Sequence, residues 1–236
     1  MTNSAVLLAA GGGSRMRGCV KDKVLVPLLG RPVLAYSVEA FIESGCVSEL
    51  VIVCRDDAQI AEIRRELAEP LSKIRHTFAY GGKERQDSVL NGLEAASEDC
   101  GIVFIHDCAR PLAGSENIRR LFDAAILDGC AVLASRVVDT IKRLDGDPSD
   151  LNRRELRDLE RPLLWAMQTP QVFRRADILE SYRRIRRDGI SVTDDVAAAA
   201  ACGHKVTIVE NFRPNPKITV PEDLALVEFL KQKGMI

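Results

Sequence analysis

Arg15 and Lys23 lie just past three consecutive glycines, Gly11, Gly12 and Gly13, which follow an apolar stretch over residues 5–10. Glycine lets the main chain turn tightly with its N–H groups facing an anion, and Arg and Lys add full positive charge beside those dipoles. That is the chemistry of a polyphosphate site. Arg17 and Lys21 add charge to the same segment. Two familiar glycine loops do not fit it. A Walker loop needs Lys and Ser/Thr directly after its last glycine, whereas Gly18 is followed by Cys19 and Val20. A dinucleotide fingerprint needs a third glycine where Met16 stands and an acidic residue about 20 positions on. Asp22 is too near and Asp56 too far. A turn closed by glycine with merely solvated cations is the plain alternative.

Further groups along the chain bear on such a site. Gly81-Gly82-Lys83-Glu84-Arg85-Gln86-Asp87-Ser88 leads from an apolar run into a helical pattern, where bare main chain and free helix N–H groups could read a nucleobase. An ordinary turn capped by Asp87 or Ser88 fits equally. Asp107, in His106-Asp107-Cys108-Ala109-Arg110-Pro111, can bind a polyol hydroxyl or a metal held by phosphates, or pair with Arg110 to organise its loop. Asp139-Thr140 adds a carboxylate and a hydroxyl, and Thr193-Asp194-Asp195 reads most simply as a helix N-cap. The segment from Trp165 to Gln171 reads as packing, with Trp165 in a core or an interface. Lys217 is stiffened by Pro214 and Pro216, which suggests a positioned charge.

These groups need a scaffold, and 236 residues suffice for one domain with a substantial core. Apolar runs at 5–10, 49–54, 76–80, 102–106, 131–134 and 206–210 predict strands. Helical patterns at 32–44, 58–67, 85–96, 115–127, 176–187, 194–201 and 221–233 separate or follow them. The alternation predicts an α/β fold, a Rossmann-like, mainly parallel sheet with helices on both faces. Ligands of such sheets bind beyond the carboxyl ends of the strands, so the first glycine loop and the Asp107 loop can share a rim. Residues 137–161 break the pattern with dense mixed charge and few large apolar side chains. This stretch is either a mobile loop or an arm protruding from the single domain 1–236 and ordered by another subunit.

Bulk properties exclude several classes. Acidic and basic residues number 34 and 33, so no global field draws the chain to nucleic acid or anionic lipid. Seven cysteines, an odd count without a C-x-x-C pair, argue for reduced thiols in the cytoplasm rather than disulfides or zinc. The three histidines are scattered. The first apolar run lacks a cationic leader and stops at glycine, which argues against a signal peptide. No run approaches the roughly 20 apolar residues that span a bilayer.

Each motif has a dull explanation; their order does not. A-A-G-x-G-x-R-M, a lysine and P-L-L-G-R-P, then G-G-x-x-R-x-D-S-V, H-D-x-A-R-P, D-T-x-K, T-P-Q, T-D-D and K-I-T-x-P-E-D-L together resemble the 2-C-methyl-D-erythritol 4-phosphate cytidylyltransferases of the non-mevalonate isoprenoid pathway. The resemblance covers essentially the whole chain. It implies that Ala10, Gly11, Gly13, Arg15 and Lys23 surround the phosphates of CTP, with Arg15 and Lys23 stabilising the transition state. It also implies that Gly82 and Ser88 contact cytosine, and that Asp107, Arg110, Thr140, Thr169 and Thr193 contact the polyol phosphate. Arg161 and Lys217 resemble the pair that positions the acceptor phosphate. Mg²⁺ carried on the CTP phosphates and a homodimer, whose arm brings Thr140 and Arg161 to the neighbour's site, are implied too. The chain departs from the family around the second cation, which reads Val20-Lys21-Asp22-Lys23-Val24, so that Lys21 competes with Lys23; spacing to Pro27 favours Lys23. Lys83 stands at an often acidic position, and Cys108 replaces an alanine. Ribitol 5-phosphate as acceptor and a non-catalytic nucleotide sensor are the alternatives.

Overall fold

A computed structural model describes residues 2–12, 16 and 22–235. The first apolar run forms β1 (Thr2–Leu8), followed by the two-residue strands β2 (Pro27–Leu28) and β3 (Arg31–Pro32), which pair as a small hairpin. Pro32 ends that hairpin and caps α1 (Val33–Ser44) from outside, so the helix opens one residue later than the sequence suggests. Gly45 closes it at φ 68°, a left-handed conformation that glycine adopts without Cβ strain. The chain continues through β4 (Glu49–Cys54), α2 (Asp57–Glu66), the short α3 (Ala68–Leu71), β5 (Arg75–Tyr80), α4 (Arg85–Ala95), β6 (Cys100–Asp107), α5 (Ser115–Asp128) and β7 (Cys130–Arg136). Every residue of β4 is buried, because helices cover both faces of the sheet there; an alternating pattern is therefore missing from its sequence.

Residues 137–161 form a separate two-stranded antiparallel ribbon, β8 (Lys142–Leu144) against β9 (Leu156–Asp158). None of these residues is buried, in keeping with their scarcity of large apolar side chains. After a 3-10 turn (Arg161–Leu163) come β10 (Trp165–Arg174), α6 (Arg175–Arg187), α7 (Asp195–Ala201), β11 (Thr207–Glu210) and α8 (Pro221–Gln232).

Among the described residues, seven strands make one sheet in the order β11-β7-β10-β6-β1-β4-β5. All run parallel except β10, which is antiparallel to both β6 and β7. The expected parallel sheet is therefore present, but the 165–171 segment read as simple packing belongs to a central reversed strand. Helices α1, α2 and α5 pack on one face through Phe41, Ile63 and Leu121, and α4, α6 and α7 on the other through Leu93, Tyr182 and Ala198. Each fully buried aliphatic contributes roughly 1.5–3 kcal/mol of transfer free energy. Helix α8 closes a third cluster with Leu28, Tyr36 and Leu112, beside the loop that carries Lys217. No helix among the described residues is long and apolar enough to cross a membrane.

Candidate active site

Strands β1, β4, β5 and β6 end at one level, which brings four connections to a common rim. Leu8 pairs with Asp107, Ala9 N–H donates to Val53 O at 2.9 Å and Gly81 N–H to Cys54 O at 2.7 Å. The rim encloses a cavity of about 380 Å³. Ala10, Gly11 and Lys23 line one side of it, Gly82 and Ser88 another, and Asp107 and Lys217 a third. These residues span most of the chain, and the sequence singles out every one of them. A Cβ at Gly81 would stand 2.6 Å from the Ala10 Cβ, so only glycine lets the two loops meet. A Cβ at Gly11 would stand 3.9 Å from Lys23 Cε, which places the lysine stem against the glycine turn.

The start of α4 settles which residue caps it. Asp87 Oδ2 accepts the Glu84 N–H at 3.0 Å, while the Ser88 hydroxyl accepts Gly82 N–H at 3.0 Å and donates to Glu84 O at 3.1 Å. Ser88 thus fixes the glycine main chain at the cavity edge. Lys83 and Arg85 complete that wall.

Asp107 is the electrostatic hinge. Arg85 Nε donates to its Oδ1 at 3.2 Å, and Lys217 Nζ pairs with its Oδ2. Burial alone would raise the Asp107 carboxyl, but the Arg85 and Lys217 charges outweigh it and hold the group well below the usual carboxylate range. The short-range pair with Arg110, the plainer of the two sequence readings, gives way to these partners. Arg110 N–H closes a turn on Asp107 O at 2.9 Å, and its guanidinium donates to Asn215 O at 2.6 Å. Lys217 is positioned as its prolines suggest, since Ile218 N–H donates to Ala109 O at 2.8 Å and the buried Asn215 side chain donates to Gln168 Oε1 and Thr169 O.

Beneath Asp107 lies a buried polar layer. Thr169 Oγ1 accepts the Asp107 N–H at 3.0 Å and sits 3.1 Å from His106 Nδ1, and His106 Nε2 sits 3.1 Å from Ser37 Oγ. Thr169 therefore supports the Asp107 main chain from within. Burial pushes the fully enclosed His106 imidazole down to about 4 from 6.5. Between those values the unfolded chain binds a proton that the folded chain does not, so this stabilisation is complete above pH 6.5 and disappears as pH falls through 4. It amounts to about 3 kcal/mol, of which about 2 kcal/mol is gone at pH 5. Urea unfolding at pH 7 and pH 5 should show the His106→Gln protein losing about 2 kcal/mol less than wild type over that interval; equal losses would contradict a buried neutral imidazole.

A second depression, of about 460 Å³ between α1 and the start of α5, shares no lining residue with this cavity. Its guanidinium groups are engaged locally, Arg120 with Glu210 O at 3.0 Å and Arg119 with Glu43 O at 3.2 Å.

Residues 4–233 match the family model of 2-C-methyl-D-erythritol 4-phosphate cytidylyltransferase. The chain belongs to that family. It is similar to the chloroplastic 2-C-methyl-D-erythritol 4-phosphate cytidylyltransferase of Oryza sativa subsp. japonica, at 41% identity over 96% of this chain and 73% of the relative. It is 38% identical to the enzyme of the same description from Caldanaerobacter subterraneus subsp. tengcongensis, over 99% of this chain and all of the relative. Among solved structures, the 2-C-methyl-D-erythritol 4-phosphate cytidylyltransferase of Thermus thermophilus superposes with a TM-score of 0.77 and 31% identity, covering 98% of this chain and 100% of that one.

Several residues that the family pattern implicates do not line the cavity. Thr140, Arg161 and Thr193 are exposed, and Arg161 Nη1 donates to Val138 O at 3.1 Å. Arg110 turns inward onto Asn215. Asp194 caps α7 by accepting Ala197 N–H at 2.9 Å, the role that the sequence gives the 193–195 segment. Gly13, Arg15 and the competitor Lys21 lie outside the described residues. Arg85 is a wall cation to which the sequence assigns no role. Its signal is a cation at the first position of a helix, where the dipole favours acids.

Proposed function

We propose that this chain joins 2-C-methyl-D-erythritol 4-phosphate to CTP, giving 4-diphosphocytidyl-2-C-methyl-D-erythritol and pyrophosphate. The carrying observation is that Lys23, the Gly82–Ser88 edge, Asp107 and Lys217 converge on one cavity in a chain whose family match runs almost end to end.

A phosphate monoester has its second pKa near about 6, so the acceptor is already largely ionised at neutral pH and needs no general base. One of its oxygens attacks the α-phosphorus of CTP, a new P–O bond forms, and the bond to the bridging oxygen of pyrophosphate breaks. The obstacle is bringing two anions together while charge builds on the α-phosphoryl oxygens. Lys23, and with it Arg15, stabilises that charge, while the glycine main chain follows the phosphates. Gly82 and Ser88 hold the cytosine. Asp107 accepts hydrogen bonds from ligand hydroxyls, and Lys217 with Arg161 of the partner subunit binds the acceptor phosphate. Thr140 of the partner subunit borders the same acceptor, while Arg110, bonded to Asn215 O, steadies the loop that carries Lys217.

Mg²⁺ fits this site as an ion carried on the triphosphate. Both Asp107 oxygens are engaged by cations, and no group of three metal-ligating side chains occurs among the described residues. Phosphate oxygens would therefore supply most of its ligands, and the ion would neutralise the leaving pyrophosphate. The homodimer rests on the solvent-exposed arm with its bare aliphatics Val138 and Leu151.

The test is pyrophosphate release by the pure protein with CTP and Mg²⁺, comparing methylerythritol 4-phosphate with ribitol 5-phosphate. Turnover is expected with the former; preference for ribitol 5-phosphate would overturn the acceptor assignment.

A further inference from the structure

Asp195 opens α7, does not line the cavity, and is fully buried. A buried carboxylate requires partners, and Asp195 has strong ones. Arg85 Nη1 and Nη2 donate to its two oxygens at 2.9 and 2.8 Å, and the buried Tyr182 hydroxyl donates to Oδ1 at 2.5 Å. This parallel pair fixes the guanidinium plane. With both Nη groups held from behind, the remaining edge of Arg85 faces forward, and its Nε meets Asp107. Burial alone would lower the Arg85 pKa; the Asp195 and Asp107 carboxylates outweigh it and keep the group charged.

The consequence runs to the acceptor side. Asp107 is shared between Arg85 and Lys217, so any swing of Arg85 would leave Asp107 to follow Lys217 alone. Because Arg85 also begins the helix whose preceding loop carries Gly82, the same guanidinium ties the nucleotide edge to the acceptor edge. We propose that Asp195, buttressed by Tyr182, is a positioning residue: it aims Arg85 at Asp107 and so fixes the Asp107–Lys217 pair for the incoming polyol phosphate. This rests on the cytidylyltransferase reading and adds to it a residue that touches neither substrate.

The experiment is steady-state kinetics with CTP and methylerythritol 4-phosphate on Asp195→Asn, Arg85→Gln and the double variant. Asn presents an amide N–H to Arg85 Nη2 where a carboxylate oxygen stood, which breaks the parallel pair. Asp195→Asn is expected to raise KM for the acceptor about tenfold while KM for CTP stays within about threefold. The double variant should match Arg85→Gln, because Asp195 acts through that arginine. A merely structural role would lower the active fraction and leave both KM values unchanged, and that result overturns the proposal, as does full additivity of the two losses. Should Asp195→Asn fail to fold, Arg85→Lys keeps a cation beside Asp195 but has no Nε for Asp107. It should show the same acceptor defect, and a wild-type acceptor KM there overturns the proposal. Absence of turnover in the wild-type protein would overturn the functional reading and this inference with it; normal wild-type turnover with unaffected variants would overturn this inference alone.

Discussion

Lys23→Ala is expected to lower kcat about 10²–10³-fold while KM for CTP changes by less than about threefold. The asymmetry follows from where charge develops. In the ground state the triphosphate is contacted along a whole turn of main chain, and one ammonium more or less alters affinity modestly. In the transition state extra charge gathers on the α-phosphoryl oxygens, where a fixed cation in a cavity partly shielded from water acts most strongly. Lys23 lines that cavity against the glycine turn. Its stem is braced at its base, since Asp22 Oδ1 accepts Val24 N–H at 3.2 Å and Gln59 Nε2 donates to Asp22 Oδ2 at 2.5 Å. The ammonium is therefore presented by an anchored backbone. Single-turnover measurements with saturating CTP isolate the chemical step. A rise in KM with kcat intact would assign Lys23 to ground-state binding only, and a larger kcat loss in Lys21→Ala would transfer the role to that neighbour.

What the sequence reveals of this fold depends on whether an element's environment is uniform. Strands β4 and β6 are enclosed by helices and read as unbroken apolar runs, so their limits emerge within one or two residues. Strand β10 is just as central yet escapes notice, because its first half is wired to loops. Gln168 Oε1 accepts from Asn211 and Asn215, Thr169 supports Asp107, and Gln171 bonds Asp194 and the N–H of Val196. Pro170 cannot donate to a ladder, and the pairing with β7 skips from Met167 to Gln171. Polar residues that serve the rim thus disguise a strand as a loop.

The same logic governs the site. Residues on the cavity wall announce themselves through glycine turns and misplaced prolines, which are local signals. Partnerships across the fold do not. Asp107 and Arg110 are three residues apart and invite pairing, yet the carboxylate bonds Lys217, 110 residues away, and Arg85 bonds Asp195 at the same separation. Only the topology, with β10 inserted between β6 and β7, brings the 193–195 segment behind α4. An arginine at a helix start breaks a local preference, and such breaches are where a sequence hints at long-range purpose.

The second large effect concerns the arm. Arg161 lies outside the cavity of its own chain and leans on Val138 at the root of an exposed ribbon. If it binds the acceptor phosphate, it must do so in a neighbour. Val138 is 80% exposed, Leu151 76% and Leu163 72%, apolar surface that a second copy would cover. Arg161→Ala should then raise KM for the polyol phosphate more than tenfold with little change toward CTP, the signature of a lost phosphate cation. Mixing it with Lys23→Ala gives the sharper result. In a mixed dimer one site takes Lys23 from the first variant and Arg161 from the second and is whole, while the other site carries both lesions. Random exchange makes half the dimers mixed, so with acceptor held well below the KM of Arg161→Ala, where both parent proteins are nearly inactive, about a quarter of wild-type activity should return. No recovery, with subunit exchange demonstrated independently by mass-tagged chains, would mean that each site is completed within a single chain and that the arm serves another purpose.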